Sequence, residues 1–164
     1  LLSVKILKEK MNIFKWSGGS WGQVGSDITG DATGDNFGYS VSISADGKIV
    51  SSGAYNSSYV KVNQWNGSSW EQLGSNITGT SGSYFGYSLD MNAFGDIIAI
   101  GSSFNDENGT NAGSVMVFEW NGSSWETIGG TYPLGENAND YFGHVVSISS
   151  MSPVEIPSNN CKIK

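Results

Sequence analysis

Several kinds of side chain are scarce in this sequence. Its 164 residues include one cysteine, Cys161, one histidine, His144, three prolines and no arginine. A single cysteine excludes an intrachain disulfide and a cysteine-based metal site, and a single histidine excludes most zinc sites and any dyad of two imidazoles. Little catalytic chemistry remains, so we predict that the protein is not an enzyme.

Positive charge is also scarce. Only Lys48 and Lys61 lie between Trp16 and Ser150, against 13 Asp and Glu residues, and the whole chain has a net charge of -7. Nucleic-acid binding usually requires a clustered basic surface that displaces counterions, so we predict no nucleic-acid partner. An acidic surface instead favours cations, basic partners or solubility.

Long apolar runs are missing too. The longest contain only a few residues, whereas a membrane-spanning helix needs about 20, so we predict no membrane span. The N-terminal segment LLSVKILKEK has neither the apolar core nor the cleavage site of a signal peptide.

Glycine, serine and asparagine are abundant instead, with 23 glycines in the chain. Glycine and asparagine reach the positive φ values that tight turns need, whereas long helices lack suitable residues here. The composition therefore predicts an all-β protein with short strands and many turns.

The chain repeats itself at intervals of about 50 residues, which is the range expected of propeller blades. Two motifs mark the repeat. They are FGYS at 37–40 and 85–88, which returns as FGHV at 142–145, and WNGSSW at 65–70 and 120–125, which is preceded by WSGGSW at 16–21. The extra residues of the longer copy fall between Gly101 and Val115, where a loop is expected.

Each repeat is predicted to form four short strands. Alternation of apolar and polar residues after FG indicates the first strand, and the apolar stretches at 49–52 and 97–100 indicate the second. The third and fourth strands flank the turn between the two tryptophans. The predicted third strands are 60–65 and 115–120, and the predicted fourth strands are 70–73 and 125–128.

The paired tryptophans also predict how the third and fourth strands align. If the two indoles lie opposite each other, three apolar pairs follow: Val62 with Leu73, Val117 with Ile128, and Ile13 with Val24. Matched apolar pairs of this kind stabilise antiparallel strands. We expect the members of the first two pairs to be buried.

A four-stranded meander repeated at this period predicts blades of a β-propeller. The repeats occupy residues 13–150 and comprise half a blade, two complete blades at 37–73 and 85–128, and the first strand of a fourth unit. Such an arc cannot close a ring, so we expect further blades in the parent chain or self-association. Residues 1–12 are interpreted as a lead segment or a strand of an earlier unit, and residues 151–164 as a tail.

Two longer strings show a family resemblance. FGYSVSISADGKIVSSGA and FGYSLDMNAFGDIIAIGSS, each followed by a strand ending in WNGSSW, resemble the bacterial-type FG-GAP repeat, a relative of the repeats in the integrin α-subunit propeller. The resemblance implies a β-propeller located outside the cell or at its surface. The implied role is that of a non-catalytic interaction or adhesion module, and a carbohydrate-binding, lectin-like propeller is the alternative.

The resemblance also raises the question of a calcium site. Integrin-type copies often carry a calcium loop between their first two strands, but SADGK and NAFGD here are too short and too poor in carboxylates to surround the ion. The oxygen-rich loop at 106–111 does not match the EF-hand spacing. We therefore predict no cofactor. Calcium is the alternative, but the spacing of the loop residues does not support it.

The binding surface is expected on one rim. In a four-stranded meander, the loops after the second and fourth strands emerge together, and here these loops are long and rich in Asp and Asn. Adaptable loops on a rigid scaffold commonly bind ligands, although these could also be soluble connectors. The candidates for contact with a protein or carbohydrate ligand are Asp31, Asp35, Asn56, Asn105, Asp106, Glu107, Asn108, Asn111, Asn139 and Asp140.

Aromatic side chains offer two further interpretations. The tryptophan pairs either stack on sugar rings or pack across the strands of their hairpins, which aromatic pairs favour. His144 occupies the repeat position held by Tyr39 and Tyr87 in the other copies. A position shared with tyrosine indicates a structural histidine rather than a catalytic one.

Overall fold

The computed structural model describes residues 1–6, 9–129 and 131–149. These residues form an all-β structure with three antiparallel sheets. The predicted tail at 151–164, which includes Cys161, lies outside the described residues. No helix in the described part of the chain is long and apolar enough to cross a membrane.

The strands follow the repeats in chain order. The first sheet contains β1 (Leu2–Ile6), β2 (Lys10–Trp16), β3 (Trp21–Gln23) and β4 (Ile28–Thr29). The second sheet contains β5 (Phe37–Ile43), β6 (Ile49–Ala54), β7 (Tyr59–Trp65), β8 (Trp70–Gln72) and β9 (Ile77–Thr78). The third sheet contains β10 (Phe85–Met91), β11 (Ile97–Ser102), β12 (Ser114–Trp120) and β13 (Trp125–Thr127).

The first sheet extends ahead of Ile13. Strand β1 pairs with β2 in antiparallel register, with Val4 opposite Ile13. This makes β1 the counterpart of β6, the second strand of its repeat. Residues 1–12, interpreted above as a lead segment or as a strand of an earlier unit, thus contribute β1 and the start of β2 to the first sheet.

The register predicted for the hairpins is confirmed. The paired tryptophans lie directly opposite each other: Trp16 and Trp21, Trp65 and Trp70, and Trp120 and Trp125. Three backbone hydrogen bonds of 2.8 Å continue the alignment, from Val24 to Ile13, from Leu73 to Val62, and from Ile128 to Val117. The repeat in the sequence therefore corresponds to a repeated hairpin.

Each fourth strand is interrupted in the first two sheets. Strands β3 and β4 pair with opposite ends of β2, and β8 and β9 pair with opposite ends of β7. Gly25 and Gly74, with φ of 72° and 76°, lie in the bends between the two pieces. Glycine adopts this conformation without the steric cost that other residues incur. We call each such turn a glycine bend.

Two apolar cores hold the sheets face to face. The first core joins the first and second sheets and includes Met11, Ile13, Phe37, Val50 and Tyr59. The second core joins the second and third sheets and includes Val60, Val62, Phe85, Ile98 and Phe118. The sheets are therefore stacked in chain order, and the described residues do not close a ring.

Burial of the hairpin pairs differs from expectation in the third sheet. Val62 is only 1% exposed and Leu73 is half-buried, but Val117 is also half-buried and Ile128 is 45% exposed. Val62 faces the third sheet. Val117 and Ile128 lie on the far face of the third sheet, over which no further sheet lies in the described residues.

The first strand predicted for the fourth unit is not formed. Residues 143–149 pair with no strand, and Val145 is 82% exposed. A strand requires a hydrogen-bonded neighbour, and no counterpart of β6 or β11 follows this segment in the described residues. Ser147 and the backbone of Ile148 instead donate to Asp90 Oδ2 at 3.3 and 3.1 Å.

The glycines of the FG motif lie where adjacent sheets meet. Ser40 Oγ donates to the carbonyl of Gly86, and Ser88 Oγ donates to the carbonyl of Gly143, both at 2.7 Å. A side chain on Gly53 would collide with the Gly86 carbonyl. The FG motif of one repeat thus packs directly against the second strand of the preceding repeat.

Candidate functional site

A β-bulge follows the repeated phenylalanine in both complete repeats. In β5 the pairing with β6 shifts between Phe37 and Ser40, and β10 shows the same shift at the equivalent residues. The glycine inside the bulge has φ of 93° in β5 and 86° in β10. Bulges redirect neighbouring side chains, and the side chains that follow these glycines are Tyr39 and Tyr87.

Seven rings come together at this end of the sheets, and we call them the aromatic rim. One row takes a single ring from each repeat: Tyr39, Tyr87 and His144. The other row consists of Tyr55, Tyr84, Phe104 and Tyr141. Successive centroids are 4.8 Å apart throughout the first row and 4.9, 4.4 and 5.4 Å apart along the second. A contact of 4.6 Å between Tyr39 and Tyr55 joins the rows.

The second row is assembled from two kinds of loop. Tyr55 and Phe104 follow the second strands of their repeats, whereas Tyr84 and Tyr141 directly precede a repeated phenylalanine. The two kinds of loop touch, since Phe104 N donates to the carbonyl of Ser83 at 3.1 Å. The loops after second and fourth strands therefore meet on one rim, as the meander predicts.

Backbone strain accompanies two of these tyrosines. Tyr84 and Tyr141 have φ of 56° and 50°, and the equivalent residue of the earlier repeat, Asn36, has φ of 59°. Asparagine tolerates the left-handed region, but a bulky tyrosine does so at a cost. Strained residues concentrate at functional sites, so the two tyrosines mark this rim as a candidate site.

A cleft of about 570 Å³ opens within the rim. Its lining consists of Tyr84, Tyr87, Phe104, Asp140, Tyr141 and His144. Beside the cleft, Tyr39 is 52% exposed. Hydrogen bonding with Tyr87, together with partial burial, raises the pKa of Tyr39 to about 12. The Tyr39 phenol therefore stays neutral at physiological pH and can both donate and accept hydrogen bonds.

Two of the predicted ligand residues hold a loop in place. Asp35 is 1% exposed, and its carboxylate accepts hydrogen bonds from the backbone of Asp31 at 3.0 Å, the backbone of Phe37 at 2.9 Å and the hydroxyl of Tyr59. Burial and the bond to Asp35 raise the pKa of Tyr59. Lys61, 2.5 Å from Asp31, lowers the pKa of Asp31. Both carboxylates thus bind groups of the chain itself.

The oxygen-rich loop at 105–111 is organised by its own backbone. Asn105 Oδ1 accepts a hydrogen bond from Glu107 N at 2.9 Å, and Asp106 Oδ1 accepts one from Asn111 N at 2.7 Å. Within the described ranges, no group of three or more Asp, Glu, His or Cys side chains is placed to hold a metal ion.

The other predicted residues connect neighbouring loops. Their contacts run from Asn56 Nδ2 to the Gly34 carbonyl at 2.6 Å, from Asn108 Nδ2 to the Gly135 carbonyl at 2.8 Å, and from Asn111 Nδ2 to Asn139 Oδ1 at 3.4 Å. Asp140 accepts one hydrogen bond from the backbone of Asn137 at 2.8 Å and lines the aromatic cleft. Asp140 is therefore both a predicted ligand residue and part of the lining of the aromatic cleft.

The aromatic rim is the part of the site that sequence reasoning missed. A signal for it existed, because Tyr39, Tyr87 and His144 share one repeat position, and Tyr84 and Tyr141 share another. Their convergence depends on stacking of the sheets, which brings equivalent positions of successive repeats next to each other.

The later tryptophan pairs pack against a neighbouring sheet. Trp70 Nε1 donates to the Val24 carbonyl at 2.8 Å, and Trp125 Nε1 donates to the Leu73 carbonyl at 2.9 Å. In each pair the two indoles also contact each other, with centroids 5.3 and 5.5 Å apart. For these pairs, the packing interpretation is the one that the contacts support.

Neither the models of known protein families nor the curated proteins contain a match to this chain.

Proposed function

We propose that this chain is a non-catalytic interaction module of the FG-GAP β-propeller type, acting outside the cell or at its surface, whose aromatic rim binds the ligand. One observation carries the proposal: seven rings from three repeats converge beside a cleft of about 570 Å³. Exposed apolar groups arranged around a cleft with a few polar atoms are typical of binding sites.

The FG-GAP assignment is supported by the physical role of its motif residues. Gly86 packs against Gly53 of the preceding repeat, and Ser40 donates to the Gly86 carbonyl at 2.7 Å. The same bond recurs from Ser88 to Gly143. A motif that forms the contact between neighbouring sheets fits a family of stacked blades. The extracellular location follows from the family resemblance.

A basic protein segment is the ligand that best fits the rim. Tyrosine provides a large, rigid and amphipathic contact surface, and the surrounding loops are rich in Ser, Gly and Asn, which supply adaptable hydrogen bonds. Asp140 lies in the cleft, and no lysine occurs between Lys61 and Lys162. Complementary charge would attract Lys- or Arg-rich partners.

A carbohydrate is the second candidate ligand. Aromatic rings can pack against pyranose faces, and the carboxylate of Asp140 can accept hydrogen bonds from sugar hydroxyls. The site for such a ligand would be the tyrosine cleft, because Trp70 and Trp125 are engaged by the preceding sheets.

Two arrays, one of peptides and one of glycans, test the proposal with the full chain. We expect Lys- and Arg-rich peptides to bind and matched acidic peptides not to bind. Tyr87→Ala should weaken binding about tenfold or more, because it removes a ring from the cleft. Phe94→Ala is the control, since Phe94 is 57% exposed on a turn outside the rim. Thermal melts of both variants would verify that they fold.

The glycan array separates the two candidate ligands. Binding to glycans alone, weakened by Tyr87→Ala, would favour the carbohydrate ligand over the basic peptide. Silence on both arrays, or equal binding by wild type and Tyr87→Ala, would contradict a ligand site at the rim.

A further inference from the structure

Successive repeats build two ring clusters of the same plan within the aromatic rim. Each cluster takes one ring that follows an FG motif, one from the loop after the second strand of that repeat, and two that flank the FG motif of the next repeat. The first cluster consists of Tyr39, Tyr55, Tyr84 and Tyr87, and the second consists of Tyr87, Phe104, Tyr141 and His144. The two clusters share Tyr87 and can be compared ring by ring.

The first cluster is filled by its own rings. Tyr55 is the central ring, and the centroids of the other three rings are 4.6, 4.9 and 5.5 Å from its own. Because one ring contacts the other three, the rings of the first cluster pack mainly on one another.

One extra residue changes the second cluster. Tyr55 is the first residue after β6, whereas Phe104 is the second residue after β11. The two strands end at equivalent positions, each opposite the phenylalanine of its FG motif. The fully buried Ser103 therefore takes the place that Tyr55 has in the first cluster, and the ring follows one residue later.

The displaced ring leaves an opening. Phe104 packs against Tyr84 and Tyr141, with centroids 4.4 and 5.4 Å away, and in the described residues no ring contact joins it to Tyr87. The cleft of about 570 Å³ lies among these rings. Its opening thus follows from a local difference between two loops.

The lining of the cleft suits a cation. Five of its six residues contribute rings, and the sixth, Asp140, contributes a carboxylate. Asp140 Oδ2 accepts a hydrogen bond from the backbone of Asn137 at 2.8 Å, and among the described residues no lysine pairs with this carboxylate. The faces of aromatic rings carry negative partial charge and attract cations, and a carboxylate strengthens that attraction.

A methylated ammonium fits this lining better than other cations do. A metal ion needs more oxygen ligands than one carboxylate supplies. An unmethylated lysine ammonium has three N–H donors, and leaving any of them unpaired away from water costs free energy. A quaternary ammonium has no N–H donor, so its methyl groups can pack against several rings while its charge is attracted by them.

Charge around the cleft favours one carrier of that group. Asp106 and Glu107 follow Phe104, and residues 85–149 contain eight carboxylates and no lysine. A phosphocholine headgroup would bring a phosphate into this acidic surface, where like charges repel. A methylated lysine in a basic peptide brings only positive charge.

We propose that the second cluster is an aromatic cage for a trimethylated lysine of a protein partner, with its rings around the methyl groups and Asp140 beside the charge. This inference deepens the proposed function and rests on it, because it names the group of the basic segment that enters the cleft. The remaining volume of the cleft accommodates the lysine stem.

Small molecules test the cage on the full chain by NMR titration. Choline should bind about tenfold or more tightly than 3,3-dimethylbutanol, which has the same shape without the charge. Phe104→Leu keeps an apolar side chain but removes a ring face, so it should weaken choline binding several-fold and leave binding of the neutral alcohol unchanged. Thermal melts would verify that the variant folds.

Peptides test the source of the cation. A lysine-rich peptide with one trimethylated lysine should bind about tenfold or more tightly than the unmodified peptide. Asp140→Asn should reduce this preference several-fold. Glu119→Gln is the matched control, because it removes the same charge from an exposed position opposite Glu126, at the hairpin end of the third sheet. Phosphatidylcholine vesicles should not bind.

The outcomes separate this inference from the proposed function. Equal binding of the two peptides, still weakened by Tyr87→Ala, would overturn the cage and keep the basic-peptide site. Loss of both peptides would overturn the cage together with that site. Equal binding of choline and its neutral isostere, an equal effect of Asp140→Asn and Glu119→Gln, or capture of the vesicles in place of the trimethylated peptide would also overturn the proposal.

Discussion

The hairpin ends and the loop rim both expose aromatic side chains, but the surfaces beneath them differ. Trp70 and Trp125 rest on glycine bends and donate to backbone carbonyls of the preceding sheet. Tyr39, by contrast, is 52% exposed, and its ring contacts those of Tyr55 and Tyr87. Aromatic residues at equivalent repeat positions thus pack against glycine bends in one region and line a partly exposed cleft in the other.

The largest expected effect on stability comes from removing an indole that packs on a glycine bend. Trp70→Ala should lower the free energy of unfolding by about 2–4 kcal/mol, because it uncovers the Gly25 bend and leaves the Val24 carbonyl without its donor. Trp21→Ala should cost less than about 1 kcal/mol, because Trp21 is 44% exposed. Urea denaturation of dilute protein measures the free energy of unfolding of both variants. Equal losses of stability would show that an indole packed on a glycine bend contributes no more than an exposed one.

The glycine bend can be tested from the other side of the contact. Gly74→Ala should cost about 1–3 kcal/mol, because the new Cβ would lie 2.6 Å from the Trp120 ring in a backbone with φ of 76°. Gly122→Ala is the control, since Gly122 has φ of 98° but open space around it. Urea denaturation of the two variants separates the steric effect from backbone strain. If Gly74→Ala lowers stability no more than Gly122→Ala does, then packing of the Trp120 indole does not require glycine at the bend.

The rim should show the opposite balance of stability and binding. Tyr39→Ala is expected to change the free energy of unfolding by less than about 1 kcal/mol, because most of its ring is not covered by the sheets. The same substitution should reduce capture of basic peptides by the immobilised chain. A large loss of stability with unchanged binding would assign Tyr39 to the scaffold instead.

The smallest effect is expected in the alkaline titration. The pKa of Tyr39 is raised to about 12 from an ordinary value of 10.0, so its contribution to stability is fully present below pH 10 and is lost as the pH rises towards 12. Ultraviolet titration of phenolate in wild type and Tyr39→Phe reports on Tyr39 together with its hydrogen-bonding neighbour Tyr87. The difference between them should have its midpoint clearly above 10, and a midpoint near 10 would argue against the contact with Tyr87.

Sequence reasoning predicted what depends on neighbouring residues in the chain. The tryptophans on either side of each turn predicted the hairpin register, which the pairs Trp65 with Trp70 and Trp120 with Trp125 confirm. The short strands β4 and β9 were not predicted, because two residues offer no alternation to recognise. The exposure of Ile128 was also missed, since burial depends on whether another sheet covers it.

Sequence reasoning predicted which loops share a rim, but not which side chains meet there. The loop rim was inferred from strand order, and Asp140 does line the cleft there. Asp31 and Asp35 look like ligand residues in the sequence, but in the structure they bind Lys61, Tyr59 and backbone amides. A carboxylate in a loop has the same sequence signature whether its partner is a ligand or the protein's own buried group.

By itself, the sequence determined the all-β class, the period of the repeat and the alignment of each hairpin. These properties depend on alternation and turn residues within a few positions of one another. Only the tertiary structure decided that Tyr39, Tyr87 and His144 form one row and that Trp70 rests on Gly25. Residues nearly 50 or more positions apart become neighbours only when one sheet stacks on the next, and burial of the apolar faces between the sheets drives that step.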